Sequence, residues 1–302
     1  MLKFKKYAAI DIGSNAVRLL VADIIEQENK PTIFRKTSLV RVPIRLGSDV
    51  FIDHTISESN KQRMVDTMLA FKLLMKSHKV QRYKACATSA MRESTNGIEV
   101  VKAVRQKSGI TIDVIDGEVE AAIIAATDLK SYLIEDKTYL YVDVGGGSTE
   151  FSVIHGGITV ASKSFKVGTV RLLNDMVPNA LWKELEIWIK TNTEEFEKVD
   201  LIGSGGNINK IFKLSGKKMG RPLTYFWLTS FYNDLQNYTY DERITELDLN
   251  QDRADVIIPA TRIYLSSMKW SGAKDIYVPK IGLSDGIVKS MYFNTVSSQE
   301  LD

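Results

Sequence analysis

Two stretches of this chain follow one plan at positions 132 residues apart. The first runs through the apolar Tyr7-Ala8-Ala9-Ile10 into Asp11-Ile12-Gly13-Ser14-Asn15-Ala16-Val17-Arg18. The second runs through Tyr139-Leu140-Tyr141-Val142 into Asp143-Val144-Gly145-Gly146-Gly147-Ser148-Thr149-Glu150. Each reads as a buried strand, an acidic residue, a small-residue turn and a second strand, Val17 to Ile24 in one copy and Phe151 to Ile154 in the other. Glycines let such a turn bend tightly and aim several N–H groups at one point, which suits an anion such as phosphate. A dinucleotide or P-loop site sends its glycine loop into a helix. Here the residues after each turn alternate and are rich in β-branched types, so each turn closes a hairpin. One glycine turn alone is weak evidence for a ligand, but its recurrence at a domain-sized interval predicts two copies of one fold.

Composition agrees with that plan and excludes several others. A chain of 302 residues is long enough for two ordinary cores. Hydrophobic content of 44% and charged content of 25% are those of a globular protein. A formal charge of +3 gives no argument for nucleic acid or a membrane surface. The single cysteine, Cys86, rules out an internal disulfide and reads as a buried thiol. His54, His78 and His155 are too scattered for a histidine metal site. The basic start is followed by only four apolar residues before Asp11, too few for a signal-peptide core, and no run reaches transmembrane length. These features lead us to expect a cytoplasmic protein.

Periodicity predicts strands at 7–12, 17–25 and 32–42, a helix at 57–78 opened by Ser57, strand 82–87, helix 95–108, strand 111–115 and helix 117–133. The second half predicts strands at 138–143, 149–155 and 158–166, a helix at 180–197, strand 199–203 and helix 206–214. An irregular region with Trp227 and Tyr232 follows, then helix 254–270, strand 275–278 and helix 284–296. Both halves read βββαβαβα, an α/β class with mixed sheets and ligands at strand ends. The expected domains are 1–122 and 123–302, with residues 285–302 packing back on the first. The halves are expected to join through helix 117–133 and the loop Glu135-Asp136-Lys137.

A duplicated fold with facing phosphate hairpins resembles the actin-like ATPase superfamily, built on ribonuclease H-like domains around an inter-lobe cleft. Seven motifs narrow the resemblance: Asp11–Arg18, Ala87-Thr88-Ser89-Ala90-Met91-Arg92, Gly117-Glu118-Val119-Glu120-Ala121, Asp143–Glu150, Gly168-Thr169-Val170-Arg171-Leu172, Gly203-Ser204-Gly205-Gly206 and Arg253-Ala254-Asp255-Val256-Ile257. Their order is similar to that of the exopolyphosphatase/guanosine pentaphosphate phosphohydrolase (Ppx/GppA) family, in its short two-domain form. The resemblance implies a hydrolase acting on phosphoric anhydrides: an exopolyphosphatase, with guanosine pentaphosphate as the alternative substrate. A non-hydrolytic, nucleotide-driven switch is the competing class. No nucleic-acid or membrane partner is implied, and a homodimer is left open.

Phosphoanhydride hydrolysis needs an aligned water, charge neutralisation and a proton acceptor. By itself a Glu in the first turn of a helix complements the helix dipole. The resemblance makes Glu120, directly before Ala121, the general base, and leaves Glu118 on another face. Asp143 and Glu150 flank the second turn, and with Asp11 they suit Mg²⁺, which takes oxygen ligands; in isolation Asp143 would read as a turn cap. Gly13, Ser14 and Asn15 would bind phosphate from one turn, and Gly145, Gly146, Gly147 and Ser148 from the other. Arg92 is implied as a bidentate phosphate ligand, whereas Arg18 either binds phosphate or pairs with a carboxylate. Gly205 and Gly206 open a helix whose free N–H groups would hold another phosphate, or they form a tight turn without a ligand. Two positions depart from the family pattern: Asn207 stands in place of Thr, and Ser284 in place of Arg. The second removes a positive group and weakens the expected grip on a long polyanion. Basic clusters at Lys163 and Lys166, and at Lys213, Lys217, Lys218 and Arg221, read as solvated faces.

Overall fold

A computed structural model describes residues 2–125, 127, 134 and 136–301. The chain divides into two compact units, Met1–Thr127 with Leu283–Asp302, and Asp128–Gly282. The division falls after 127, five residues beyond the expected 122, and the second unit ends at Gly282. Among the described residues no helix is long and apolar enough to cross a membrane.

The first unit opens with a meander, β1 (Leu2–Ile12), β2 (Val17–Gln27) and β3 (Ile33–Val42). Then come α1 (Leu46–Asp53), α2 (Glu58–Ser77), β4 (Arg82–Ala87), α3 (Ser89–Glu93), α4 (Gly97–Ser108), β5 (Ile112–Val114) and α5 (Gly117–Ala125). The part of the expected helix 117–133 beyond Ala125 lies almost wholly outside the described residues, as does Glu135 of the expected joining loop. β1 begins five residues earlier than expected because it pairs with β2 from Leu2↔Gln27 to Ile12↔Val17. Two cross-strand ion pairs, Lys5–Glu26 and Lys6–Asp23, secure that polar extension. Side chains recurring at Met64, Met68, Phe71 and Met75 bury one face of α2, and Val100 and Val104 bury the corresponding face of α4.

The second unit repeats the meander as β6 (Thr138–Val144), β7 (Thr149–His155) and β8 (Ile158–Phe165). It continues with α6 (Thr169–Leu173), α7 (Asn179–Thr193), β9 (Val199–Ser204), α8 (Gly206–Leu214), β10 (Leu223–Thr224), α9 (Tyr225–Asn237), α10 (Tyr240–Thr245), α11 (Gln251–Ala254), α12 (Ile257–Ser271) and β11 (Asp275–Tyr277). The segment with Trp227 and Tyr232, expected to be irregular, is helix α9. Thr224 caps it by accepting from the Trp227 N–H, and it buries Leu228 and Leu235 on one face. α13 (Leu283–Tyr292) and β12 (Gln299–Glu300) then belong to the first unit.

Both sheets have the same strand order. In the first it is β3-β2-β1-β4 with β5 on the far side of β4; in the second it is β8-β7-β6-β9-β11. The central strand of each is antiparallel to its hairpin partner and parallel to the next strand. This is the duplicated, actin-like α/β plan expected from the sequence. It places each glycine turn at the carboxyl end of a central strand, where α/β sheets bind ligands.

Candidate active site

The first unit gathers three of the sequence motifs. The Gly13 N–H donates to Ala16 O at 3.1 Å and closes the turn. Ser14 is buried, and its hydroxyl lies 2.9 Å from that of Ser89, at the start of the Ala87–Arg92 motif. Asp11 stands opposite Arg18 in the β1–β2 register and opposite Cys86 in the β1–β4 register. Its carboxylate accepts from Arg18 Nη1 at 2.9 Å. Of the two roles the sequence left open to Arg18, the structure shows the carboxylate pair. Burial holds Asp11 above the ordinary carboxylate range, with Arg18 pulling the other way. Arg92 donates to Ile115 O at 2.6 Å, so part of its guanidinium fixes the chain just before α5.

Glu120 sits in the first turn of α5. The Asp116 carboxylate caps that helix by accepting from the Val119 N–H at 2.8 Å, and the Glu120 N–H bonds to Asp116 O at 3.0 Å. Glu118 and Val119 are exposed, whereas Glu120 is half-buried with its Oε2 wholly shielded from solvent. The thiol of Cys86 shows how near the motifs lie. Burial pushes it up to about 12, Lys84 opposes, and the charges of Asp113, Asp11 and Glu120 add to the rise. The ends of β1, β4 and α5 thus bring Asp11 and Glu120 into one electrostatic neighbourhood.

In the second unit the convergence is set by strand register. Asp143 stands directly opposite Glu150 across β6–β7 and opposite Ser204 across β6–β9. Glu150 is 3% exposed, and its Oε1 accepts from the Ser148 and Ser164 hydroxyls at 2.7 and 2.9 Å. Gly205, at φ 111°, passes so close that a Cβ there would lie 3.0 Å from Val144 O and 3.3 Å from Asp143 Oδ1. That approach brings the start of α8, Gly205 and Gly206, beside the acidic pair. Tyr141 and Tyr264 are buried around Asp143, and burial, then its charge, hold both phenols well above their usual range. Neutral hydroxyls therefore flank the carboxylate.

The two hairpins differ in the sign of charge at one matched position. Seven residues after its Asp, the first copy carries Arg18 and the second Glu150. In the first, Arg18 pairs with Asp11, while in the second two carboxylates stand opposite each other across the strands. Hard divalent cations favour such an oxygen donor set. Among the described residues no three of His, Cys, Asp and Glu are grouped so as to hold a metal by themselves.

Other expected features are placed as follows. Asn207 is buried in α8, and Ser284 is buried in α13 of the first unit. Lys163 pairs with Glu184, and Lys217 donates to Pro222 O, so both are engaged locally. The sequence reading missed α1 and α6. The Gly47 and Arg45 N–H groups donate to Ser14 O and Asn15 O at 2.7 and 3.0 Å, and those of Thr169 and Val170 donate to Gly145 O and Gly146 O at 3.0 and 2.9 Å. The motif Gly168–Leu172 was visible as a signal for the second brace, without a role attached.

Residues 20–294 match the model of the Ppx/GppA phosphatase family. The chain is 31% identical over 218 residues to the bifunctional 3-dehydroquinate synthase/phosphatase of Fusobacterium nucleatum, which covers 66% of this chain and 32% of that protein. It therefore spans about a third of that relative's length. It is 22% identical over 304 residues to exopolyphosphatase 1 of Mycobacterium tuberculosis, which covers 94% of this chain and 87% of that one. A solved exopolyphosphatase from Cytophaga hutchinsonii shares the fold, with a TM-score of 0.85 and 22% identity over 97% of this chain and 99% of its own.

Proposed function

We propose that this chain, which belongs to the Ppx/GppA phosphatase family, is a cytoplasmic, Mg²⁺-dependent exopolyphosphatase that hydrolyses the terminal phosphoanhydride of inorganic polyphosphate. The observation that carries the reading is the matched pair of acid-plus-glycine hairpins at the ends of the two central strands. Guanosine pentaphosphate is the alternative substrate, since the candidate residues serve phosphate chemistry and none is assigned to a nucleobase.

The roles follow from chemistry. Glu120 accepts the proton of the attacking water; its anchoring in a capped first turn and its shielded oxygen suit a general base. Asp143 and Glu150 would hold Mg²⁺, which would neutralise charge on phosphoryl oxygens. Asp11, already paired with Arg18, is the least suited of the three carboxylates to bind metal directly. The turns at Gly13–Asn15 and Gly145–Ser148, the start of α8 at Gly205 and Gly206, and Arg92 would offer donors to phosphate.

The test is phosphate release with Mg²⁺ from long polyphosphate, guanosine pentaphosphate and ATP in parallel. Glu120→Gln keeps the shape and removes the acceptor, so release should fall by about 10²–10⁴-fold with binding retained. Glu118→Gln, exposed on the next face, should stay near wild type. Equal and harmless effects of both changes would favour the non-hydrolytic switch.

A further inference from the structure

The three carbonyl groups of the second glycine turn all face one short element. Gly145 O and Gly146 O accept the Thr169 and Val170 N–H groups of α6, and Gly147 O accepts from Arg171 Nε at 2.8 Å. In a planar trans peptide the carbonyl and the following N–H point in opposite directions. The N–H groups of Gly146, Gly147 and Ser148 are therefore turned away from α6. Among the described residues no backbone carbonyl takes any of the three. Three successive amides turned the same way form a concave anion-binding surface.

The brace is built closely. A Cβ on Gly168 would lie 2.3 Å from Gly146 O and 2.4 Å from the Gly147 carbonyl carbon, so only glycine lets α6 approach the turn. Arg171 is 9% exposed, a costly place for a guanidinium unless its donors are used. The first unit repeats the device, because α1 also follows the third strand and also holds the carbonyls of its turn, those of Ser14 and Asn15. The second copy adds a charged side chain on its third carbonyl.

We infer that Arg171 is a positioning residue: held inside the fold, it fixes the last peptide of the turn so that the Ser148 N–H is presented, with those of Gly146 and Gly147, to an oxyanion. The inference rests on the proposed phosphohydrolase reading for the identity of that anion, the terminal phosphoryl group of a polyphosphate.

The experiment is a titration of the deuterated, ¹⁵N-labelled full chain with inorganic tripolyphosphate, followed amide by amide, beside phosphate-release kinetics. In the wild type the Gly146, Gly147 and Ser148 amides should shift, while those of Thr169 and Val170 stay protected from exchange. Arg171→Ala should weaken tripolyphosphate binding by about 10- to 100-fold, the worth of one hydrogen bond to a charged group, and raise KM more than it lowers kcat. Arg171→Lys, which keeps a cationic donor, should recover most of that loss. Unchanged affinity in Arg171→Ala, with the same amides moving, would overturn the inference while leaving the hydrolase intact. If Arg171→Ala does not fold, Arg171→Gln and the wild-type exchange pattern decide, and unprotected Thr169 and Val170 amides would overturn it. Binding that follows the predicted pattern in a chain that hydrolyses nothing would support the positioning role and sink the phosphohydrolase reading.

Discussion

At the scale of single residues, the difference between Arg18 and Glu150 at matched places decides how each hairpin handles its aspartate. Asp11 is buried and held above the usual carboxylate range, so its ionisation costs the folded state. A carboxylate raised in this way contributes fully below its unfolded value, and the contribution is lost as pH rises through the folded one. Arg18→Ala removes the partner and pushes Asp11 higher still. Breaking a buried ion pair costs about 3–5 kcal/mol, but Arg18 is about a third exposed and screened, so about 1–3 kcal/mol is expected. The melting-temperature gap between wild type and Arg18→Ala should be wide above the raised range in which Asp11 titrates and close as pH falls through it. A gap that ignores pH would mean lost packing rather than an exposed charge imbalance. Asp143 faces the opposite situation, with a carboxylate instead of a guanidinium across the strand pair. Asp143→Asn should weaken Mn²⁺ binding, read by its paramagnetic signal, by at least the roughly 10–100-fold that even indirect changes to a metal site produce. It should also leave the fold intact, read as an unchanged far-ultraviolet circular dichroism spectrum, because Asn keeps the shape of the side chain. Undiminished Mn²⁺ binding would remove Asp143 from the metal site.

At the scale of elements, long periodic segments were legible and short braces were not. The buried stripe of α2 and the alternation in the meanders carry their own signal, because burial on one face dictates residue type at a fixed interval. Helices α1 and α6 carry little. Arg45, in the left-handed region at φ 62°, and Gly168 precede them without a side-chain cap, so their stability comes from donating to a turn far away in sequence. Helix α9 was read as irregular because its aromatic residues masked the spacing of Leu228 and Leu235. The glycine motifs were legible for a physical reason, that a close backbone approach permits no other residue. Gly286 of α13 is such a case, since a Cβ there would lie 2.1 Å from Ile123 O of α5, one turn beyond Glu120. Gly286→Ala should cost about 1–3 kcal/mol and lower kcat/KM by shifting the helix that carries the proposed base. Gly216→Ala, at φ 67° with open space around it, should cost about 1 kcal/mol and leave kcat/KM unchanged. If the two glycines behave alike, α13 does not set the position of α5.

At the scale of the whole molecule, the first unit is assembled from two distant pieces of chain, and the second from one. Helix α13 packs on β1, β2, β4 and α5, burying Ile287, Val288 and Met291, so the first core closes only when the last twenty residues are in place. β12 completes the join by sharing the outer edge of β4 with β5: it pairs at Arg82 and Tyr83, and β5 pairs at Ala85 to Ala87. Side chains add to it, with Arg82 Nε donating to Ser298 at 2.7 Å, Lys84 to Ser297 at 3.3 Å and Gln299 to Thr111 O at 3.3 Å. Removing residues from 297 onward deletes these bonds and uncovers half a strand edge, while α13 is kept. Each net hydrogen bond is worth about 0.5–1.5 kcal/mol, so the first unit should lose about 1–3 kcal/mol. Local stability differs across a structure, and amide exchange resolves it by element. Exchange in β4 and β5 should therefore accelerate, while β6, β7 and β9, which belong to the second unit, keep their protection. Uniform acceleration in both units would mean that they unfold as one cooperative body, and unchanged exchange in β4 would mean that β12 contributes nothing to the edge it covers.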